Sequence, residues 1–185
     1  MNLLAGAEFD SPHRYPKELA ALSALPYDCI IGSVHFCGLS PDLYFSTLIA
    51  NGITAETCYR GYWKEVQKCV SAGGFDVLGH LDIPKRYYKV LHYNEAEIRM
   101  IFRTMVDNGI VLEINTSTLR RDLPDTMPGR DLLALYRAEG GSCVTVCSDA
   151  HSAIDLAAGN AIARELLEDL GLREVIFVRR KRIEV

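Results

Sequence analysis

The sequence predicts an α/β fold, with β/α units arranged around a parallel sheet. Short apolar runs rich in β-branched residues alternate with amphipathic stretches along the whole chain. With 185 residues, 49% of them hydrophobic, the chain is long enough for one domain with a substantial core. No internal repeat, low-complexity segment or linker divides it, so residues 1–185 read as a single domain.

The elements follow in order. Leu3–Phe9 reads as a first strand carrying Glu8, and Pro16–Leu25 as a short helix. Cys29–Phe36 (CIIGSVHF) is a second strand with His35 near its end, followed by helices over Pro41–Asn51 and Trp63–Ala72. Phe75–His80 is a third strand running into GHLD. Asn94–Asn108 is a helix because Asn94 is a good N-cap and Glu95 and Glu97 favour its first turn. Gly109 stops it. Ile110–Asn115 (IVLEIN) is a fourth strand, Gly129–Glu139 a helix, and Cys143–Cys147 a fifth strand running into SDAH. Asn160–Leu170 is the last helix, closed by Gly171, and Glu174–Arg179 a sixth strand. The basic tail Phe177–Ile183 (FVRRKRI) reads as a final strand with a solvated face.

Composition narrows the function. A net charge of −4 offers no general attraction for nucleic acid, so a phosphorylated substrate must be drawn by local positive charge. The six cysteines form no CxxC pair and sit mostly in apolar runs, as reduced thiols do. Met1–Gly6 lacks the features of a signal peptide, and no apolar run is long enough to span a bilayer. A cytoplasmic protein without membrane contact is expected.

The ionisable residues fall in a pattern. Glu8, His35, His80 and the pair Asp149/His151 each stand near the C-terminal end of a different predicted strand. In a parallel β/α barrel those ends converge on one face, where such folds place their chemistry. Carboxylate and imidazole together suit Zn²⁺, Mn²⁺ or Fe²⁺. One histidine at a strand end is commonly an ordinary hydrogen-bonded residue; four strands ending this way point to a metal. His13, in a Ser-Pro turn, and His92, in a Tyr-rich loop, read as surface residues, either of which could line the mouth of the site.

GAEFD (Gly6–Asp10), YDCIIGSVHF (Tyr27–Phe36), FDVLGHLDIPKRY (Phe75–Tyr87), LEINTSTLR (Leu112–Arg120) and CSDAH (Cys147–His151) occur in this order. Together they resemble the successive motifs of the PHP (polymerase and histidinol phosphatase) family, nearest its histidinol-phosphatase branch. The resemblance implies a distorted seven-stranded, TIM-like β/α barrel that binds up to three metal ions and hydrolyses a small phosphomonoester, histidinol phosphate. It implies that Glu8 bridges two metals, that His35 and His80 complete one of those sites, that Asp149 binds the other and that His151 binds the third. It makes Arg120 a candidate for the substrate phosphate, which a planar guanidinium can grip with two hydrogen bonds, with Lys85 and Arg86 as weaker candidates. Solvated surface charge is the plain alternative for all three. Cys147 stands where the family usually has Gly before Ser-Asp, a packing variation; no His/Asn pair marks it as a nucleophile.

The family opens with an HxH motif, and this sequence contains none. The expectation is therefore an incomplete barrel lacking its first one or two strands, with one well-formed metal site at Glu8, His35 and His80 and weakened activity. An open strand edge would invite a second copy or a partner chain. The competing readings are a non-catalytic remnant or binding module retaining at most one metal, and a nuclease or proofreading subunit of the same family. The KRY and INTSTLR contexts weigh against the last of these.

Overall fold

The computed structural model describes residues 3–39 and 44–185. Among these, β1 (Gly6–Asp10), β2 (Cys29–Ser33), β3 (Val77–Leu78), β4 (Val111–Asn115), β5 (Cys143–Cys147), β6 (Arg173–Val178) and β7 (Lys181–Glu184) form one sheet in sequence order. Neighbours from β1 to β6 are parallel, while β7 returns antiparallel on β6. β1 and β7 are the two edges, so the barrel is not closed.

The intervening helices are α1 (Pro16–Ser23), α2 (Phe45–Ala50), α3 (Ala55–Ala72), α4 (Pro84–Tyr88), α5 (Glu95–Asp107), α6 (Arg130–Ala138) and α7 (Asn160–Leu170). Asn94 caps α5 as expected, its side chain accepting the Glu97 N–H at 3.2 Å. The helix expected over Pro41–Asn51 begins outside the described residues, and α2 is its described part.

Strand alternation divides the sheet into two faces. Ile30, Leu78, Leu112, Ile114 and Val144 point into the main core beneath the helices, with Trp63, Tyr62 and Phe102. On the opposite face, Val77, Val111, Cys143, Val175 and Phe177 make a second, smaller core, with Cys29 and Ile31 packed against it. Cross-strand register carries this second face upward to polar residues: Glu8 lies opposite Ile31, and Asp10 opposite Ser33. Apolar packing at the N-terminal ends of the strands thus supports a polar layer at their C-terminal ends, the side on which parallel β/α folds place chemistry.

Two expectations need correcting. The helix read as starting at Trp63 begins eight residues earlier, at Ala55, where Thr54 caps it. In the fold, Gly61 lets the helix press against Cys37, since a Cβ there would lie 1.9 Å from the Cys37 carbonyl oxygen. The basic tail is a hairpin rather than one strand: Arg179 and Arg180, both at positive φ, make the turn between β6 and β7. Asp28 accepts the Arg179 N–H and Asp76 pairs with the Arg180 side chain, which anchors the turn.

Candidate metal centre

β1, β2 and β3 are adjacent and parallel, so their C-terminal ends meet. Glu8 projects from β1, His35 stands two residues beyond β2, and His80 two residues beyond β3. One ligand atom from each lies within 4.8 Å of the other two. Glu8 Oε1 is 3.0 Å from His80 Nε2 and 3.9 Å from His35 Nε2. Tetrahedral bonds of about 2.0–2.1 Å would put donors roughly 3.3 Å apart, so a small shift of the rings accommodates an ion. The donor set, one carboxylate and two imidazoles, suits zinc and its neighbours.

The close approach of β3 to β2 depends on Gly79. A Cβ there would sit 2.9 Å from both Ile31 Cγ2 and Ser33 Oγ. His80 itself is buried and adopts φ +24°, a conformation rare outside glycine. Its backbone N–H donates to Glu113 Oε2 at 2.7 Å, and Asn115 Nδ2 donates to the same oxygen at 3.2 Å.

The electrostatics follow the geometry. Hydrogen bonding to His80 holds the Glu8 carboxyl down at about 2, with the Ser33 hydroxyl, donating at 2.5 Å, helping against partial burial. For His80, burial favours the neutral ring, but the hydrogen bond to Glu8 and the nearby Glu113 outweigh it, and its pKa is raised. Burial pushes the Glu113 carboxyl upward against the pull of His80. Cys147, also on this face, is pushed up to about 12 by burial and by Glu113, so it remains a thiol.

The other residues singled out from the sequence divide into groups. Asp149 does not join the Glu8 cluster: its Oδ2 takes a 2.9 Å ion pair from Arg86, whose other hydrogen bond goes to Ser117 Oγ. His151 is 86% exposed and holds the Asp149 carbonyl at 3.0 Å through Nδ1. Arg120 bonds the Ser148 carbonyl at 2.8 Å and pairs with Asp155 at 3.2 Å. Arg120, Arg121, Asp149, His151 and Asp155 line an open cavity of about 250 Å³. Lys85 is buried instead, its ammonium held by Asp82 at 2.8 Å, Asp125 at 3.1 Å and the Thr126 carbonyl at 2.8 Å. His13, expected at the surface, is half-buried, its side chain 8% exposed and paired with Glu65 at 2.9 Å; it lies in the one turn of 3-10 helix over Pro12–Arg14.

Asp10, Ser33, Glu113 and Asn115 were not singled out from the sequence. The signal was present for two of them. Asp10 repeats the Glu8 face two residues on, and Glu113 is a lone charge in an apolar strand.

The chain is similar to several known proteins. Its relatives include proteins named "Probable histidinol-phosphatase". That of Deinococcus radiodurans is 29% identical over 168 residues, covering 86% of this chain and 61% of its own length. That of Clostridium acetobutylicum is 30% identical over 164 residues, covering 83% and 62%. The chain therefore spans about three fifths of the length of these relatives. A histidinol phosphate phosphatase from Lactococcus lactis, solved with zinc, L-histidinol and phosphate, shares the fold at a TM-score of 0.72 and 23% identity. The match covers 92% of this chain and 67% of that one. Residues 1–117, which supply Glu8, His35, His80 and Glu113, match the PHP domain model, and on that match over most of its length the chain belongs to the PHP domain family.

Proposed function

We propose that this chain is a single-domain, metal-dependent phosphomonoester hydrolase acting on a small phosphorylated substrate of the histidinol phosphate type. The observation that carries the reading is the convergence of Glu8, His35 and His80 at the ends of three adjacent parallel strands. These three would hold one divalent ion (zinc, manganese or iron), leaving a coordination position for water. When bound, such an ion polarises a phosphoryl oxygen and acidifies a bound water.

The chain's own residues supply the rest. Glu8 stays ionised because Ser33 and His80 both hydrogen-bond it. Arg120 and Arg86 orient the phosphate, each fixed by a second partner (Ser148 and Ser117) that reduces the entropy lost on binding. Asp149 and His151 stand by the same cavity as weaker metal donors. Lys85 has no part in this reading, its ammonium being engaged internally. With one well-formed three-donor group among the described residues, turnover is slower than for a site clamping both attacking and leaving oxygens.

The setting is inferred to be cytoplasmic and free of nucleic acid, consistent with free cysteines and net negative charge. No described helix is long and apolar enough to cross a membrane. The exposed edge of β1, with Leu3 85% exposed beside it, suits coverage by a second copy or partner chain, which light scattering would detect.

A second reading, a metal-binding module without catalysis, is favoured by the Arg86–Asp149 pair, which occupies a candidate ligand with an internal cation. Phosphate release from histidinol phosphate, with Zn²⁺, Mn²⁺ or Fe²⁺ supplied in turn, separates the two. Release that disappears in His80→Ala supports the hydrolase. Metal uptake with no release under any of the three ions supports the module.

A further inference from the structure

Asp10 lies two residues beyond Glu8 in β1, and strand alternation points both carboxylates to the same face. Glu8 faces the candidate ion. Asp10 does something different: its Oδ1 lies 3.0 Å from His35 Nδ1 and also accepts the His35 backbone N–H at 3.3 Å and the Ser11 hydroxyl at 3.2 Å. One carboxylate oxygen therefore grips both the ring and the backbone of a single residue. A carboxylate accepts and does not donate, so this contact places the proton on Nδ1 of His35. The lone pair is then left on Nε2, the nitrogen 3.9 Å from Glu8 Oε1.

This is the arrangement by which carboxylates orient metal-binding imidazoles and raise their basicity. Asp10 is not itself in the three-donor group. Its side chain is 39% exposed, so burial does not force the pairing. Ser33 makes the same division on β2, standing opposite Asp10 in register while donating its hydroxyl to Glu8. We propose that Asp10 is a positioning residue, fixing the His35 tautomer and ring so that Nε2 is presented to a divalent cation held with Glu8 and His80. The role rests on the metal-centre reading given under Proposed function and deepens it.

The test uses the full chain and Co²⁺, whose visible absorption reports both affinity and ligand geometry, with competition by Zn²⁺. The wild type should take up one Co²⁺, and Asp10→Ala should bind it roughly 10- to 100-fold more weakly at unchanged stoichiometry. Asp10→Asn keeps an oxygen that can accept from Nδ1, so it should recover part of the loss. Long-range ¹H–¹⁵N spectra of the metal-free wild type should show the Nδ1–H tautomer at His35, lost in Asp10→Ala. Should Asp10→Ala fail to fold by circular dichroism, the wild-type tautomer and the Asp10→Asn titration decide. Equal affinity in wild type and Asp10→Ala, or an Nε2–H tautomer in the wild type, overturns the role of Asp10 alone. A wild type that takes up no Co²⁺ overturns the metal-centre reading, and this role with it.

Discussion

Glu113 and His80 meet through a backbone hydrogen bond: the buried carboxylate of β4 accepts the His80 N–H at 2.7 Å. His80 is held there at φ +24°, so its strained backbone and its place against Glu8 share one support. Glu113→Ala should leave the His80 N–H and the Asn115 amide without this partner. A loss of about 1–3 kcal/mol in urea denaturation is expected. Glu113→Gln keeps an acceptor oxygen and should cost less. Equal losses for the two would show that the acceptor is not what matters.

Gly79 governs how near His80 comes to Glu8. A methyl group there would press on Ile31 and on the Ser33 hydroxyl that bonds Glu8, each at 2.9 Å. Relief requires β3 to move away from β2. Gly79→Ala is expected to destabilise by about 1–3 kcal/mol and to weaken Co²⁺ binding. Unchanged metal affinity would mean the strands absorb the methyl without separating.

These relationships show where the sequence was readable. Glu8, His35 and His80 could be found because strand periodicity and parallel topology together fix where strand ends go; Glu8 lies in β1 two residues before its end, and each histidine two residues past the end of its strand. Asp149 was read by the same logic, yet the fold turns its carboxylate to Arg86. That choice depends on α4, five residues opened by Pro84 after GHLD, too short for periodicity to reveal. Lys85 and Arg86 are neighbours on this helix but diverge, one into the Asp82–Asp125 cluster and the other to Asp149. No pattern of spacing separates them; packing does. His13 was misread for a related reason, since its partner Glu65 is 52 positions away.

Glu65 provides a pH test independent of the metal centre. Its side chain is 6% exposed among His13, Arg14 and Lys68, at 2.9, 2.6 and 2.7 Å. Burial raises its pKa, but the hydrogen bonds from Lys68, Arg14 and His13 prevail and hold it at about 2, below the ordinary 4.5. A depressed acid contributes stability that is present above its unfolded pKa and lost as pH falls through the folded one. The contribution should therefore fade between pH 4.5 and about 2. Glu65→Gln should cost about 2 kcal/mol at pH 7 and flatten the acid limb of stability against pH. A variant with an unchanged acid limb would show that other carboxylates dominate acid unfolding.

Arg86 distinguishes a binding role from a structural one. Its guanidinium joins Asp149 to Ser117, and its side chain is only 14% exposed. Arg86→Ala should leave the Asp149 carboxylate, now held below its ordinary pKa with Arg86 opposing burial, without its cation. A destabilisation of about 1–3 kcal/mol is expected from that alone. If Arg86 also grips substrate phosphate, KM for histidinol phosphate should rise while metal affinity stays constant. Lost stability at unchanged KM would confine Arg86 to holding Asp149.

Metal removal ties the centre to folding. A ligand that binds the native state alone stabilises it by about 2.7 kcal/mol when present at 100 times its Kd. For a chain of this size each kcal/mol moves Tm by roughly 2–4 °C. Zinc at such an excess should raise Tm by about 5–11 °C over chelator-treated protein. Glu8→Gln removes the one carboxylate of the three-donor group, so the shift should vanish in that variant while the helices remain by circular dichroism. The Gln amide can still accept from Ser33, which limits the damage to the fold itself. A zinc-dependent Tm that persists in Glu8→Gln would place the ion on other residues, and Asp149 with His151 would be the pair to vary next.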